Sequence, residues 1–217
     1  MVRLALPGVM MTFCEWLAFD ILSFSAAYLS NVHLAGQSVL MTVCVLMYHI
    51  PFPVSIAATT RFGNLIGYGA LSAARTAALT YTIVFIGIGI FDIALMVSLK
   101  NHIPILFSKD PEVHAKVAEV MPVVAAAQFF DATTALCNGL VRGLGRQFVG
   151  GFINLGVYYI FAVPLALFLA FGPPHLSLAG LWIGPCSGLA AITLLEGSYV
   201  KWSNWQRAID DAREREE

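Results

Sequence analysis

Charge is what this sequence has least of. Asp, Glu, Lys and Arg make up 12% of its 217 residues, against about 25% in an ordinary soluble domain. A formal net charge of -1 leaves no basic field for nucleic acid, and no G-x-x-x-x-G-K-[ST] loop is present to cradle a nucleotide. The four cysteines, Cys14, Cys44, Cys137 and Cys186, all fall in apolar stretches. There they read as small buried hydrophobes, not as a disulfide framework or a metal site. Catalytic motifs are missing too. No H-E-x-x-H pair occurs, and Gly184-Pro185-Cys186-Ser187-Gly188 is not a G-x-S-x-G elbow, so an enzyme is not expected.

Long hydrophobic runs take the place of charge. Hydrophobic residues are 59% of the chain and mean hydropathy is +0.78. Apolar spans run over residues 4–29, 34–60, 76–99, 117–141, 149–171 and 176–200, each long enough to cross a bilayer at about 20 residues per span. The expected fold is all-α, an integral membrane bundle of six helices over residues 1–203, with a polar, helix-prone tail over 204–217 as the solvated end of the last helix. The first span is too long for a secretory signal. Positive residues collect on the cytoplasmic side of short loops. Arg3, Arg61, Arg75, Arg142, Arg146, Lys201, Arg207, Arg213 and Arg215 fall on one side, and Lys100, Lys109 and Lys116 on the other. That count places both termini in the cytoplasm.

Against this background the acids stand out. Cys14-Glu15-Trp16-Leu17-Ala18-Phe19-Asp20 sets two carboxyls in the middle of the first span, at a depth where an Asp costs roughly 2.5–3.5 kcal/mol and usually carries function. At 100° per residue, Thr12, Glu15, Trp16, Phe19, Asp20 and Ser23 share an arc of about 140°. In the fourth span Gln128, Asp131, Thr134 and Asn138 share an arc of about 120°, with Ala127 and Ala135 beside them. The spans as drawn contain no Lys or Arg. Protonation, a bound cation or cavity water must therefore neutralise Glu15, Asp20, Asp92, Asp131 and Glu196. Asp92 and Glu196 lie toward span ends and are expected in solvated structural roles. Two carboxylates close together in a poorly solvated site can hold and release a proton, and the rings of Trp16 and Phe19 could hold an organic cation by cation–π attraction.

Punctuation inside the bundle is specific. Pro51 and Pro53, in Tyr48-His49-Ile50-Pro51-Phe52-Pro53, remove two amide donors and must bend or break the second span. Such a break either lines a transport pathway or is a packing kink, and His49 beside it is expected to be a hydrogen-bonded interior residue. Glycine-rich stretches follow the second span (Arg61 to Gly69) and the fourth (Arg142 to Gln147). Neither follows a strand, so both are expected to be tight interhelical turns and not phosphate sites.

Several of these stretches, in order, resemble the C-terminal half of the multidrug and toxic compound extrusion (MATE) family, its eukaryotic branch in particular. They are Cys14-Glu15-Trp16, Arg61-x-Gly63-Asn64-x-x-Gly67-x-Gly69 with Ala74-Arg75, and Phe130-Asp131-Ala132. Arg142-Gly143-x-Gly145-x-Gln147, Asn154-x-x-x-Tyr158-Tyr159-x-x-x-x-Pro164 and Gly180-Leu181-Trp182-x-Gly184 complete the set. The resemblance covers nearly the whole chain. It implies the C-terminal lobe of a twelve-helix exporter, a secondary active antiporter that exchanges organic cations, drugs or toxic metabolites for H+ or Na+. Glu15 and Asp131 match the family's coupling acids, and Asp20 is added as a further candidate. Trp16, Phe19, Gln128, Asn138 and Tyr158 are the expected substrate contacts.

The sequence departs from the family at Thr42, where vertebrate members place a glutamate, at Ala70, where an acidic or polar residue often follows the glycine signature, and in carrying six spans instead of twelve. The implied partners are the lipid bilayer, small organic cations and a second six-helix lobe, with no nucleic acid. No cofactor is expected beyond the coupling ion, and the membrane is the plasma or the vacuolar one. The alternative is a transport-inactive truncated fragment or a half-transporter subunit that depends on a partner.

Overall fold

Proline and glycine positions set the breaks in a series of long helices. A computed structural model describes residues 2–213. Met1 and residues 214–217, which include Arg215 of the orientation count, lie outside the described residues, as do the side chains of Arg3, Met10 and Arg213. The helices are α1 Val2–Leu29, α2 Asn31–Tyr48, α3 Pro51–Gly67, α4 Leu71–Ser98, α5 Ile103–Phe107, α6 Pro111–Gly143, α7 Gln147–Gly156, α8 Val163–Phe171, α9 Ser177–Trp202 and α10 Trp205–Arg213. A π-helical turn, Val157–Ala162, joins α7 to α8. No strand occurs among the described residues.

Five of these stretches are long and apolar enough to cross a membrane: Asn31–Tyr48, Leu71–Ser98, Pro111–Gly143, Gln147–Phe171 and Ser177–Trp202. Helix α1, with 28 residues, extends about 42 Å at 1.5 Å per residue. Exposed Leu79, Ile83, Ile90 and Phe91 on α4, and Phe152, Ile160 and Phe168 on the α7–α8 span, form apolar outer faces suited to lipid contact. The chain is an all-α integral membrane protein.

The second expected span is two helices. Helix α2 ends at Tyr48 and α3 restarts at Pro51, a first-turn position where the missing N–H has no intrahelical partner to lose. A similar constraint acts in the fifth span. Pro164 cannot donate to Ile160, and the ladder loosens just before it, with Val163 N–H reaching Tyr158 O five residues back. This π turn holds Tyr158 inside the bundle, 1% exposed.

Helix α6 is the hub, packing against α2, α3, α4 and α9. Its apolar residues join two cores, one with Leu40, Met121, Leu178 and Trp182 and one at the other end with Phe62, Phe85, Leu140 and Ile209. Helices α8 and α9 pack at close range through Gly180, Gly184 and Gly188. A Cβ at Gly180 would lie 2.7 Å from Ala170 N, and one at Gly188 2.6 Å from Ala162 Cβ. At Gly184 it would overlap Ala166. Small residues four apart allow this approach where lipid supplies no hydrophobic drive.

Both glycine-rich stretches end helices. Gly69 and Gly145 adopt φ of 73° and 70°. Their N–H groups bond Ile66 O and Arg142 O, and the next residues bond Leu65 O and Val141 O. These paired bonds are the Schellman termination of α3 and α6, which a left-handed residue makes possible.

Three expectations are corrected. The polar tail is not a free end of the last helix: Ser203 is extended, and α10 folds back onto α3. Ala208 and Ile209 are buried there, and Trp205 meets Phe62 edge-on at 5.3 Å. Asp92 and Glu196 are not solvated, since each is 0% exposed. The reason lies in packing, because α6 runs the length of both α4 and α9 and encloses residues that sequence alone puts near the span ends. His49 is not interior, since it is exposed with Nδ1 2.6 Å from Val45 O.

Candidate functional site

A cavity of about 420 Å³ lies among α1, α2, α6 and α9. Its formation follows from the two polar arcs. Thr12, Glu15, Trp16 and Phe19 face it from α1, and Gln128, Asp131, Thr134 and Asn138 face it from α6, with Ala127 and Ala135 between them. The alanines leave the space. The broken helix supplies Tyr48, His49 and Phe52, so the proline break lines the cavity wall. Phe19 and Trp182 continue the aromatic surface, their centroids 6.0 Å apart and tilted by 48°. Trp182 is held by its Nε1 donating to Gln37 Oε1 at 2.8 Å.

Glu15 and Asp131 lie within Coulombic reach of each other. Asp131 Oδ2 accepts from Gln128 Nε2 at 3.3 Å. Glu15 has the buried Tyr158 hydroxyl beside it, as its hydrogen-bonding neighbour. Tyr158 thus sits behind Glu15 and does not line the cavity. Asp20 does not line it either. It is exposed on α1, at the edge of the predicted arc where the helix turns away from the opening.

One charged residue of the site escaped the sequence reading. Arg142, one residue beyond the expected end of the fourth span, lines the cavity with Glu15 and Asp131 and donates from Nε to Asn138 O at 3.2 Å. The cavity is therefore not free of a basic group, as the span boundaries had implied. Even so, the ion pairs among the described residues are Lys116–Glu119 and Arg146–Asp211, and neither involves a cavity acid. Two acids facing one guanidinium leave room for a cationic guest or a proton. Met41, Cys44 and Val45 of α2 also line the cavity and carried no signal in the sequence, being ordinary apolar residues of a span. Thr42 is exposed and donates to Ser38 O at 2.8 Å. All four cysteines are free.

Behind the cavity wall, Glu196 of α9 meets Asn138 of α6 and Asn154 of α7. Asn154 Nδ2 donates to Glu196 Oε1 at 2.9 Å, to Gly150 O at 2.9 Å and to Asn138 Oδ1 at 3.1 Å. Thr134 and Thr193 tie α6 to α9 next to it at 2.9 Å.

Comparison with known proteins places this architecture. The family model MatE matches residues 7–168. An uncharacterized transporter of Schizosaccharomyces pombe is 34% identical over 99% of this chain and 40% of its own length. Multidrug and toxin extrusion protein 1 of Homo sapiens is 30% identical over 97% of the chain and 37% of its own length. The crystal structure of the eukaryotic MATE transporter AtDTX14 superposes with a TM-score of 0.93 at 33% identity, covering 98% of this chain and 48% of that one. The chain thus spans roughly 40% of the length of the curated relatives it matches. Its fold, the order of its helices and the family match together establish that it belongs to the MatE family.

Proposed function

We infer that the chain forms one lobe of a secondary active antiporter that exports organic cations, drugs or toxic metabolites in exchange for H+ or Na+. The observation that carries this reading is the shared cavity. Glu15 and Asp131 enter it from two helices, and aromatic rings line the wall between them. A cationic guest would meet the faces of Trp16, Phe19 and Trp182, where cation–π attraction is worth about 2 kcal/mol or more once desolvated. It would also meet two carboxylates that a coupling ion can occupy instead. Exclusive occupancy of one site by guest or ion is the minimum an exchanger needs, because each then drives out the other. Gln128 and Asn138 offer polar contacts to the guest, and Arg142 keeps the acids from holding two cations at once. The second wall would come from another six-helix lobe. Orientation with both termini cytoplasmic, and residence in the plasma or vacuolar membrane, belong to the same reading, which assigns no catalytic step to the chain.

Proteoliposomes test it. The chain would be reconstituted alone and together with the N-terminal lobe of the S. pombe relative, and efflux of a fluorescent organic cation followed under an imposed pH or Na+ gradient. Gradient-driven efflux that Glu15→Gln abolishes is the expected result. Efflux unchanged by that substitution overturns the coupling role, and efflux by the chain alone removes the need for a second lobe. No efflux in either preparation favours a transport-inactive chain.

A further inference from the structure

We propose that Glu196 is a second proton-binding site, set behind the cavity wall and joined to the cavity by the side-chain amide of Asn138. The argument is one of hydrogen-bond accounting. Asn154 is held with its NH2 toward Gly150 O and Glu196 Oε1; turned over, its oxygen would face two acceptors. That NH2 also points at Asn138 Oδ1, which orients the Asn138 oxygen inward. The same Asn138 oxygen position lies 3.0 Å from Glu196 Oε1 and 3.1 Å from Oε2. Two acceptors at hydrogen-bond distance in a fully enclosed site need a hydrogen between them. A proton on Glu196 Oε2, donated to Asn138 Oδ1, supplies that hydrogen while Oε1 keeps its bond from Asn154.

The deprotonated form has its own geometry. If Asn138 turns over, its NH2 donates to both carboxylate oxygens of Glu196, at the expense of a donor-to-donor contact with Asn154. The amide orientation of Asn138 thus follows the proton on Glu196. Because Asn138 also lines the cavity, the turn changes which amide atom the cavity presents to a guest.

The groups facing Glu196 fit this role. Cys137 and Arg142 approach from α6, Tyr158 from the π turn and Glu15 from α1. Arg142 makes no ion pair with Glu196 among the described residues. Tyr158 brings a buried hydroxyl beside Glu15 and within Coulombic reach of Glu196, a hydrogen-bond donor and acceptor that could pass a proton from one acid to the other. In that transfer one O–H bond breaks on Glu15 as another forms on Glu196, and the phenol is returned unchanged. The site deepens the antiporter reading, yet its existence does not depend on transport.

The test is pH-difference infrared spectroscopy of the chain in lipid bilayers with K+ as the only alkali cation. Loss of one protonated-carboxyl stretch in Glu196→Gln, separate from the bands that Glu15→Gln and Asp131→Asn remove, is expected. The substituted amide would copy the protonated acid, accepting from Asn154 and donating to Asn138, so the variant should fold. Asn138→Ala should move the Glu196 band to higher frequency. Should Glu196→Gln leave every band in place, Glu196 does not exchange a proton over the pH range and the proposal fails; disappearance of the band on exchanging K+ for Na+ at fixed pH would make it a metal-ion site instead. On the unmodified chain, a carbon-13 shift of Glu196 Cδ that stays at the carboxylate position at every pH also overturns the proposal. Any of these failures leaves the Glu15 efflux experiment intact.

Discussion

Two acids are wholly enclosed among the described residues, and their surroundings differ completely. Glu196, between α6, α7 and α9, is clasped by two asparagine amides. Asp92, on α4 against α6, has both carboxyl oxygens without a partner among the described residues. Both are 0% exposed, so burial does not separate them. What separates them is whether the facing helix carries an amide. Helix α6 presents Asn138 toward α9, whereas toward α4 it presents Phe129, packed against Gly89. A polar group taken out of water without hydrogen bonds loses free energy that a bonded one recovers. The Glu196 cluster therefore contributes to holding the helices in place, and Asp92 contributes nothing of the kind.

Substitutions at these acids would break or sharpen that contrast. The largest effect is expected for Asn154→Leu, which takes a donor from Glu196 and leaves two buried acceptors short. It should destabilise the bundle by about 3 kcal/mol in an SDS-unfolding titration from mixed micelles. A change below about 0.5 kcal/mol would show that the Asn154 bonds are not structural. Asp92→Leu should act in the opposite direction, raising stability by about 1–2 kcal/mol in the same titration. Destabilisation there would mean that Asp92 has an unrecognised partner and that the contrast between the two acids is false. Arg146→Ala gives the lower end of the scale. Its ion pair with Asp211 is 2.7 Å long, but the side chains are 40% and 43% exposed, and exposed pairs are worth about 1 kcal/mol at most. Trp205 fluorescence should report little more than local loosening of α10.

Much of the site could be read from helical phase. Glu15 and Asp131, with Trp16, Phe19, Gln128 and Asn138, share two arcs, and these arcs face one cavity. Phase works for these residues because α1 and the central part of α6 are regular helices, where 100° per residue holds over several turns. It fails for Asp20 at the margin of its arc, since an arc does not say how much of a face a neighbouring helix covers. Tyr158 belongs to a motif, but the π turn places it behind Glu15, an offset that a uniform α-helical phase cannot supply. Arg142 was missed because a hydropathy boundary was taken as the membrane boundary, while α6 continues past it with its side chain still directed at the cavity. Glu196 lies inside its apolar run, and only the packing of α9 against α6 and α7 encloses it.

What the sequence determines by itself is the class and the set of breaks: apolar runs long enough to span a bilayer, proline positions that interrupt them, and glycines at Gly69 and Gly145 that end helices. These depend on local backbone chemistry and on transfer free energy per residue, both readable along the chain. Only the tertiary structure decides which enclosed acid has partners, since Asn138, Asn154 and Glu196 come from three helices, 16 and 42 residues apart in sequence. Their meeting depends on the register of α6 against α9, which the close contact of Gly180, Gly184 and Gly188 with α8 and the π turn helps to hold. Packing of that kind is a property of matched surfaces, and no single segment carries it.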